Sequence, residues 1–335
     1  MFPFFRRLTK QEVTLLAISL LLALVVGDVS LNLILGSVYK PTRYGWTIGA
    51  NRTKFYTVQD QPGHFRTVRD QTFQHGFKRW GNPHSRHPKV LILGDSFTQM
   101  NVVSNGEEWY AYLERAYPTV QWFVYGADGY GTLQEYMVLN EYIDTIHPSL
   151  ILWQFCDNDY ANNLYAWDRK TYPHNNFHVR PYLENGDIVY RLPLPLPALR
   201  KYSKIADLLL SLYDIRTKKA KLTVDEPTAP EQEEAQHVTL EILLLARERA
   251  ADIPFFFFSV SQFGAAEEVL CAGAGLTCIP GVWEHLEEQK TQGLLVEVVD
   301  GDHWNSVGNR IVGEYLTQYL RYDPLVQEAL TGQHS

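Results

Sequence analysis

Between residues 89 and 159 the sequence alternates short apolar runs with amphipathic segments, and this alternation is the strongest constraint on the fold. The runs "KVLILGD", "VQWFVYGAD" and "SLILWQFCDND" are nearly continuous in apolar residues, which is typical of parallel strands covered on both faces. The intervening segments "GEEWYAYLERAYP" and "TLQEYMVLNEYIDTIHP" have helical periodicity and stop at a proline. Strands that alternate with helices at short intervals predict βαβ units and a parallel sheet.

The alternation breaks at about residue 160 and resumes after residue 231. The segment between contains two Pro-rich stretches, "RLPLPLPALRKY" and "LTVDEPTAPEQEE", around one predicted helix, "YSKIADLLLSLYDIRTKK". We interpret residues 160–231 as an insertion, either a substrate-binding cap or a surface excursion. Beyond it, the predicted order is a helix, a strand, a helix, a strand and a helix: "EEAQHVTLEILLLARERAAD", "IPFFFFSVS", "GVWEHLEEQKTQG", "LLVEVVD" and "NSVGNRIVGEYLTQYL".

The N-terminal segment, residues 1–36, decides the compartment. A positively charged start, "MFPFFRRLTKQE", precedes the apolar stretch "VTLLAISLLLALVVGDVSLNLILG". Residues 13–35 are long enough to cross a bilayer, which takes about 20 residues, whereas residues 15–26 alone have the length of a signal-peptide core. An uncleaved transmembrane anchor and a signal cleaved after Val25-Val26-Gly27 are both open, and a buried soluble helix is the third interpretation. Either of the first two places the remaining chain outside the cytoplasm, in the periplasm or the extracellular space.

Composition excludes some partners and leaves room for one large domain. The chain has 335 residues and a net charge of −8, with no basic run beyond residues 216–221, so we expect no nucleic-acid partner. We divide it into the N-terminal segment, a connector packed on the domain (37–88), and one α/β domain (89–325) that carries the insertion. Cys271 and Cys278 could close a small disulfide in an oxidising compartment, and Cys156 is expected in the core.

Four polar blocks follow predicted strands. They are Gly94-Asp95-Ser96, Gly126-Ala127-Asp128-Gly129, Asp157-Asn158-Asp159 and Asp300-Gly301-Asp302-His303. Because the carboxyl ends of parallel strands meet at one edge of an open sheet, and ligands bind at that edge, these blocks are predicted to form one site.

The residue types in the four blocks fit acyl transfer. Ser96, at a strand-to-helix turn, would be the nucleophile, and His303 would accept its proton. Asp300 could accept the imidazole Nδ1–H and orient the ring. The Ser96 and Gly129 backbone N–H groups and the Asn158 amide would form an oxyanion hole.

These blocks resemble those of the SGNH/GDSL hydrolase superfamily. The resemblance covers about residues 89–159 and 233–320, and it assigns Ser96, Asp300 and His303 to the catalytic triad and Gly129 and Asn158 to the oxyanion hole. It implies a flavodoxin-like three-layer α/β/α sandwich with a central, usually five-stranded, parallel sheet. It also implies ester hydrolysis without metal or cofactor.

The sequence departs from the family pattern in one block and is ambiguous in two others. Cys156 stands where the family has a glycine, although the asparagine, Asn158, is kept. Gly126 and Gly131 compete with Gly129 for the oxyanion role. Asp302 is an alternative to Asp300, and Ser96 and Asn158 could be only a helix cap and a turn residue.

Other members of the superfamily in bacterial envelopes act on acyl groups of polysaccharides or peptidoglycan, and some transfer acetyl groups. By analogy we expect a membrane-anchored serine esterase that hydrolyses an O-acyl ester, with O-acetyl on a glycan as the expected ester, through an acyl-enzyme. One alternative is an O-acyltransferase with the same triad. The other is a catalytically silent module that binds glycan or partner proteins. The oligomeric state is left open.

Overall fold

The computed structural model describes residues 9–35, 43–171, 178–192, 196–218, 226–299 and 303–331. The helices are α1 (Lys10–Leu35), α2 (Ser96–Gln99), α3 (Tyr110–Ala116), α4 (Thr132–Ile146), α5 (Asn158–Asn163), α6 (Tyr165–Asp168), α7 (Pro197–Tyr202), α8 (Lys204–Lys218), α9 (Ala229–Ala250), α10 (Ala265–Gly273), α11 (Val282–Thr291), α12 (Ser306–Tyr322) and α13 (Pro324–Thr331). The strands are β1 (Thr53–Gln61), β2 (His64–Gln71), β3 (Arg79–Trp80), β4 (Lys89–Gly94), β5 (Gln121–Gly126), β6 (Leu150–Phe155), β7 (Arg180–Glu184), β8 (Asp187–Arg191), β9 (Phe255–Ser259) and β10 (Thr277–Cys278).

The central sheet has the strand order β10-β9-β6-β4-β5-β3. The first five of these strands run parallel to their neighbours, and β3 pairs antiparallel with β5 at the edge. Numbered along the chain, the parallel strands are ordered 2-1-3-4-5, which is the flavodoxin-like doubly wound arrangement. The predicted three-layer α/β fold is therefore confirmed, with one antiparallel edge strand added from the connector.

The sheet is covered on both faces, as its continuous apolar runs predict. Leu91 and Leu93 of β4 belong to one buried cluster, which includes residues of α4, α9 and α10. Val90 and Ile92 belong to the other, with residues of α3, α11 and α12. Successive side chains of a strand point to opposite faces, so each strand contributes to both cores.

The strand predicted over "LLVEVVD" is wrong. Residues 294–299 form a loop whose only ladder contact among the described residues is an isolated bridge between Glu297 and Trp304. Val296 and Val298 are buried, but their backbone groups bond to Asn305 and His303 instead of the sheet. The apolar alternation therefore reflects packing of a loop against the His303 segment. The fifth parallel strand is instead the short β10.

The insertion contains a β-hairpin of β7 and β8 and the helix pair α7 and α8. In the connector, β1 and β2 form a second hairpin, and Val299 N–H donates to Gln59 O at 3.0 Å. The connector thus contacts the loop that leads toward His303.

Helix α1 contains one segment that is long and apolar enough to cross a membrane. The segment Lys10–Leu31 has a mean hydropathy of 2.3, and none of its most apolar window is buried against the protein. A signal sequence near an N-terminus has the same properties, so the length and composition fit both the anchor and the cleaved signal.

Cys271 and Cys278 form a disulfide with their Cα atoms 5.9 Å apart. It links the end of α10 to β10, the outermost strand of the parallel sheet. A strand of two residues has little hydrogen bonding of its own, so the cross-link fixes this edge.

Replacing both cysteines by alanine is expected to lower the free energy of unfolding by about 2–3 kcal/mol, since a cross-link that closes a short loop restricts the unfolded chain. The measurement is the thermal midpoint of the purified protein with and without reductant. Reductant is expected to lower the thermal midpoint of the wild type to that of the variant and to leave the midpoint of the variant unchanged. Equal midpoints for oxidised wild type and variant would contradict this.

Candidate active site

Residues from two distant parts of the chain meet at the carboxyl edge of the sheet. The Ser96 Oγ lies 3.0 Å from the His303 Nε2, although 207 residues separate them. Both side chains line a pocket of about 630 Å³. With a proton on Nδ1, His303 accepts the Ser96 hydroxyl proton in this geometry.

The turn that carries Ser96 is held from below by a buried polar network. The Asp95 carboxylate caps the one-turn helix α2 by accepting from the Phe97 N–H at 2.9 Å. Gln154 of β6 accepts from the Asp95 N–H at 3.1 Å and from the Thr98 hydroxyl at 2.8 Å. The predicted helix after Ser96 is thus only one turn long, and it ends at Met100 in the left-handed conformation.

Close packing explains the glycine before this turn. A Cβ on Gly94 would lie 2.3 Å from both Gln154 Oε1 and Thr98 Oγ1. The backbone of Gly94 needs no left-handed conformation, so a side chain is excluded by space alone.

The loop that carries His303 is fixed by Asn305. The buried Asn305 amide donates to the carbonyls of Leu295 and Glu297 at 2.9 and 3.1 Å, and its Oδ1 caps α12. The Phe97 ring lies beside the imidazole, with ring centroids 5.2 Å apart. His303 is therefore positioned by its own loop and by the residue after Ser96.

Asp300 and Asp302, the two predicted orienting carboxylates, lie outside the described residues. Which of the two orients His303 therefore stays a prediction from the sequence.

The three predicted oxyanion donors line the same pocket: Ser96, Gly129 and Asn158. Within the described part of the chain, neither the Ser96 and Gly129 N–H groups nor the Asn158 side-chain amide has a hydrogen-bond partner. Gly129 has a φ of 70°, which favours glycine. The two competing glycines pack on protein instead, since a Cβ on Gly126 would lie 2.4 Å from Gln99 N and one on Gly131 2.7 Å from Asn162 Cβ.

Cys156 is compatible with this arrangement. Its side chain is buried, and its Sγ lies 3.5 Å from the Ser261 hydroxyl. Burial raises the pKa of the thiol well above its ordinary value, and the carboxylates of Asp95 and Asp157 raise it further. Cys156 therefore stays a neutral thiol, and Asn158 remains exposed at the pocket.

Arg180 is a site residue that the sequence did not indicate. It comes from β7 of the insertion and is buried, and its Nη1 donates to Gly129 O at 2.7 Å and to Gln134 Oε1 at 2.6 Å. Its Nε donates to the buried Asp168 carboxylate at 3.0 Å. The insertion thus holds the turn that presents the Gly129 N–H. No local pattern marks an arginine 51 residues from its partner.

Three carboxyl groups are buried near Ser96: Asp95, Glu135 and Asp159. Burial raises the pKa of Asp95 to about 6, against the opposing hydrogen bond from the Phe97 N–H. Burial also raises the pKa of Glu135 well above its ordinary value, and the charges of Asp159 and Asp95 add to this. Burial and the charge of Asp95 raise the pKa of Asp159 in the same way. The folded protein therefore keeps protons here that an unfolded chain would release.

This cluster predicts a pH dependence of stability. As the pH rises from about 4.5, these carboxyl groups lose their protons in the unfolded chain before they lose them in the folded protein. The contribution of the three groups to the free energy of unfolding therefore falls as the pH rises through about 6 and above. Glu135→Gln removes one of these acids. We expect it to be more stable than wild type by roughly 1–3 kcal/mol at pH 8, with a smaller gain at pH 5.

Thermal midpoints of both proteins between pH 4.5 and 8.5 measure this difference. Glu288→Gln, a change on the exposed face of α11, is the control and should follow wild type at every pH. A Glu135→Gln curve parallel to wild type would show that the carboxylate does not titrate in this range.

Comparison with known proteins gives structural matches only. No family model and no curated protein sequence matches the chain. A lipolytic protein of the G-D-S-L family from Veillonella parvula is 13% identical, with a TM-score of 0.38, over 70% of this chain and 99% of that chain. TesA is 13% identical, with a TM-score of 0.42, over 71% of this chain and 99% of that chain. A mutant of Axe2, an acetylxylan esterase from Geobacillus stearothermophilus, is 11% identical, with a TM-score of 0.39, over 70% and 95%.

These matches show similarity of fold alone. At these identities and TM-scores, the similarity adds nothing to the functional argument, which depends on the geometry of the site.

Proposed function

We propose that the protein is a serine esterase of the SGNH/GDSL type, with Ser96 as nucleophile and His303 as general base. The observation that carries the proposal is the 3.0 Å contact between Ser96 Oγ and His303 Nε2 in a pocket that also holds three N–H donors. A serine within hydrogen-bond reach of an imidazole can be activated as a nucleophile. Asp300, three residues before His303, is proposed as the group that orients the ring.

In this mechanism the Ser96 oxygen attacks the ester carbonyl carbon while its proton moves to His303 Nε2. The carbonyl oxygen becomes an oxyanion, which the N–H groups of Ser96 and Gly129 and the Asn158 amide stabilise. As the C–O bond of the ester breaks, His303 returns the proton to the departing alcohol oxygen. Water then attacks the acyl-enzyme by the same route, releasing the carboxylic acid and restoring the serine hydroxyl.

The pocket is larger than an acetyl group requires. Besides the catalytic residues, it is lined by Trp283, Glu287 and Lys290 of α11 and by Gln262. An aromatic ring next to charged and amide groups suits the alcohol portion of the ester when that portion is a sugar. We therefore propose an O-acetylated glycan outside the cytoplasm as the substrate class, with transfer to a sugar hydroxyl as the alternative outcome.

Ser96→Ala and His303→Ala are each expected to reduce kcat/KM for p-nitrophenyl acetate by about 10³-fold or more, because they remove the nucleophile and its base. The full-length protein is assayed in detergent. Ser85→Ala, in the loop before β4, is the control that should keep wild-type activity. Wild-type hydrolysis equal to that of Ser96→Ala, together with no covalent labelling of Ser96 by a fluorophosphonate, would favour the silent binding module.

A second assay, with acetylated glycan as substrate and with or without an added sugar, separates hydrolase from transferase. A hydrolase releases acetate from acetylated glycan at a rate that does not depend on added sugar. A transferase hydrolyses the acetylated glycan slowly when no acceptor is present. Its rate of deacetylation rises when a sugar acceptor is added, and the acetyl group is then found on that sugar.

Arg180→Lys is expected to lower kcat by at least about tenfold with little change in KM, since a lysine cannot bond Gly129, Gln134 and Asp168 together and the oxyanion donor shifts. Steady-state kinetics on p-nitrophenyl acetate measure the two constants. Arg191→Lys, an exposed change in β8 of the same hairpin, is the matched control. Loss of thermal stability without loss of kcat would assign Arg180 a structural role only.

A further inference from the structure

Helix α8 of the insertion exposes an apolar face that no described part of the chain covers. Leu208, Leu209, Leu212 and Tyr213 are 51–63% exposed and lie on one side of the helix. On the neighbouring α7, Leu199 and Tyr202 are also exposed. Contiguous exposed apolar surface of this kind marks an interaction site.

Among the side chains that the structure describes in this helix pair, three polar ones face each other: Arg200, Asp207 and Ser211. Arg200 of α7 has a fully buried side chain, and its guanidinium lies 3.6 Å from the Asp207 carboxylate of α8. Arg200 also donates to the Ser211 hydroxyl at 3.4 Å. A helix pair in water places leucines inside and charges outside, so this arrangement is inverted. The inversion is what a surface in contact with lipid requires, because hydrocarbon offers no partner to a charged group.

The apolar face is continuous with the candidate membrane segment. Asp28, near the C-terminal end of Lys10–Leu31, accepts hydrogen bonds from the Ile205 N–H at 2.8 Å and from the Ser203 hydroxyl at 3.2 Å. These donors lie at the N-terminus of α8, where backbone N–H groups lack helical partners. Gly27 lies beside Ile205, so the two helices meet at small and polar residues. The carboxylate that interrupts the apolar stretch is thus used to attach α8.

We propose that α7 and α8 form a membrane-binding element that lies in the outer interface of the bilayer beside α1, and that α1 is kept as an anchor. The Leu208–Leu209–Leu212–Tyr213 face contacts acyl chains, and the Arg200–Asp207 pair stays inside the helix pair. The occupant is lipid, because the face adjoins a helix whose own leucines are exposed on almost every side. This inference concerns the surface alone and does not depend on the esterase proposal.

Site-directed spin labelling tests the contact with lipid. The full-length protein, with Cys156→Ser, is reconstituted into phosphatidylethanolamine–phosphatidylglycerol vesicles and labelled at Leu212→Cys or Leu209→Cys. Val269→Cys is the matched control, since Val269 is an equally exposed apolar residue on α10. Collision rates with oxygen, which partitions into lipid, and with a polar nickel complex are compared by power saturation.

For Leu212 and Leu209 we expect oxygen collisions to exceed nickel collisions several-fold, and for Val269 we expect the reverse. Labels on α8 that collide with nickel as readily as Val269 would overturn the proposal, because the face would then lie in water. Labels shielded from both reagents would also overturn it, because the face would then be covered by protein.

Attachment to α1 is tested by the intact mass of the membrane-extracted protein and by Asp28 variants. We expect a chain that retains residues 10–35 and an Asp28→Asn variant that keeps the lipid signature at Leu212, because its amide oxygen still accepts. Asp28→Leu removes the acceptor and is expected to raise the mobility of the Leu212 label. A mature chain that begins near residue 28, or no difference between the two variants, would overturn the attachment.

Discussion

The site depends on how closely the turn after β4 approaches the strands on either side of it. The turn is so tight that Gly94 has no space for a Cβ beside Gln154 and Thr98, and Gly126 has none beside Gln99. The backbone of α2 thereby packs directly against Gly126 at the end of β5, and the side chains of Gln154 and Thr98 pack against Gly94. This contact fixes Ser96 at the sheet edge, where the loop after residue 293 brings His303 to within 3.0 Å. A side chain at either glycine would separate these layers and move the nucleophile.

Polar and carboxyl side chains are buried beneath this edge of the sheet, next to the site. Gln154 accepts hydrogen bonds from the Asp95 N–H and the Thr98 hydroxyl, while burial raises the pKa values of the carboxyl groups of Asp95, Glu135 and Asp159. The insertion adds Arg180, which holds the Gly129 turn from the other side. The same insertion carries the helix pair proposed to contact lipid. One segment therefore both contacts the Gly129 turn and carries the surface proposed to contact lipid.

Burial of a segment is predictable from its residues, whereas the part of the chain against which it packs is not. Continuous apolar runs identified β4, β5, β6 and β9 because a strand buried on both faces leaves few polar positions. The run over residues 294–299 has the same composition but packs as a loop, since its backbone groups bond to the His303 segment. Composition reports burial, and it cannot distinguish a sheet partner from a loop partner. Arg180 was missed because its role arises only from a contact across the fold.

The sequence by itself determined the layered α/β fold, the order of the four polar blocks and the apolar N-terminal helix. Each of these follows from residue type and spacing along the chain. Tertiary structure alone decided that Ser96 meets His303, that Gly129 lines the pocket while Gly126 and Gly131 pack on protein, and that Asp28 receives the N-terminus of α8. The physical reason is that hydrogen bonds and close contacts act over a few ångströms of space, and a sequence does not specify which distant segments come that close.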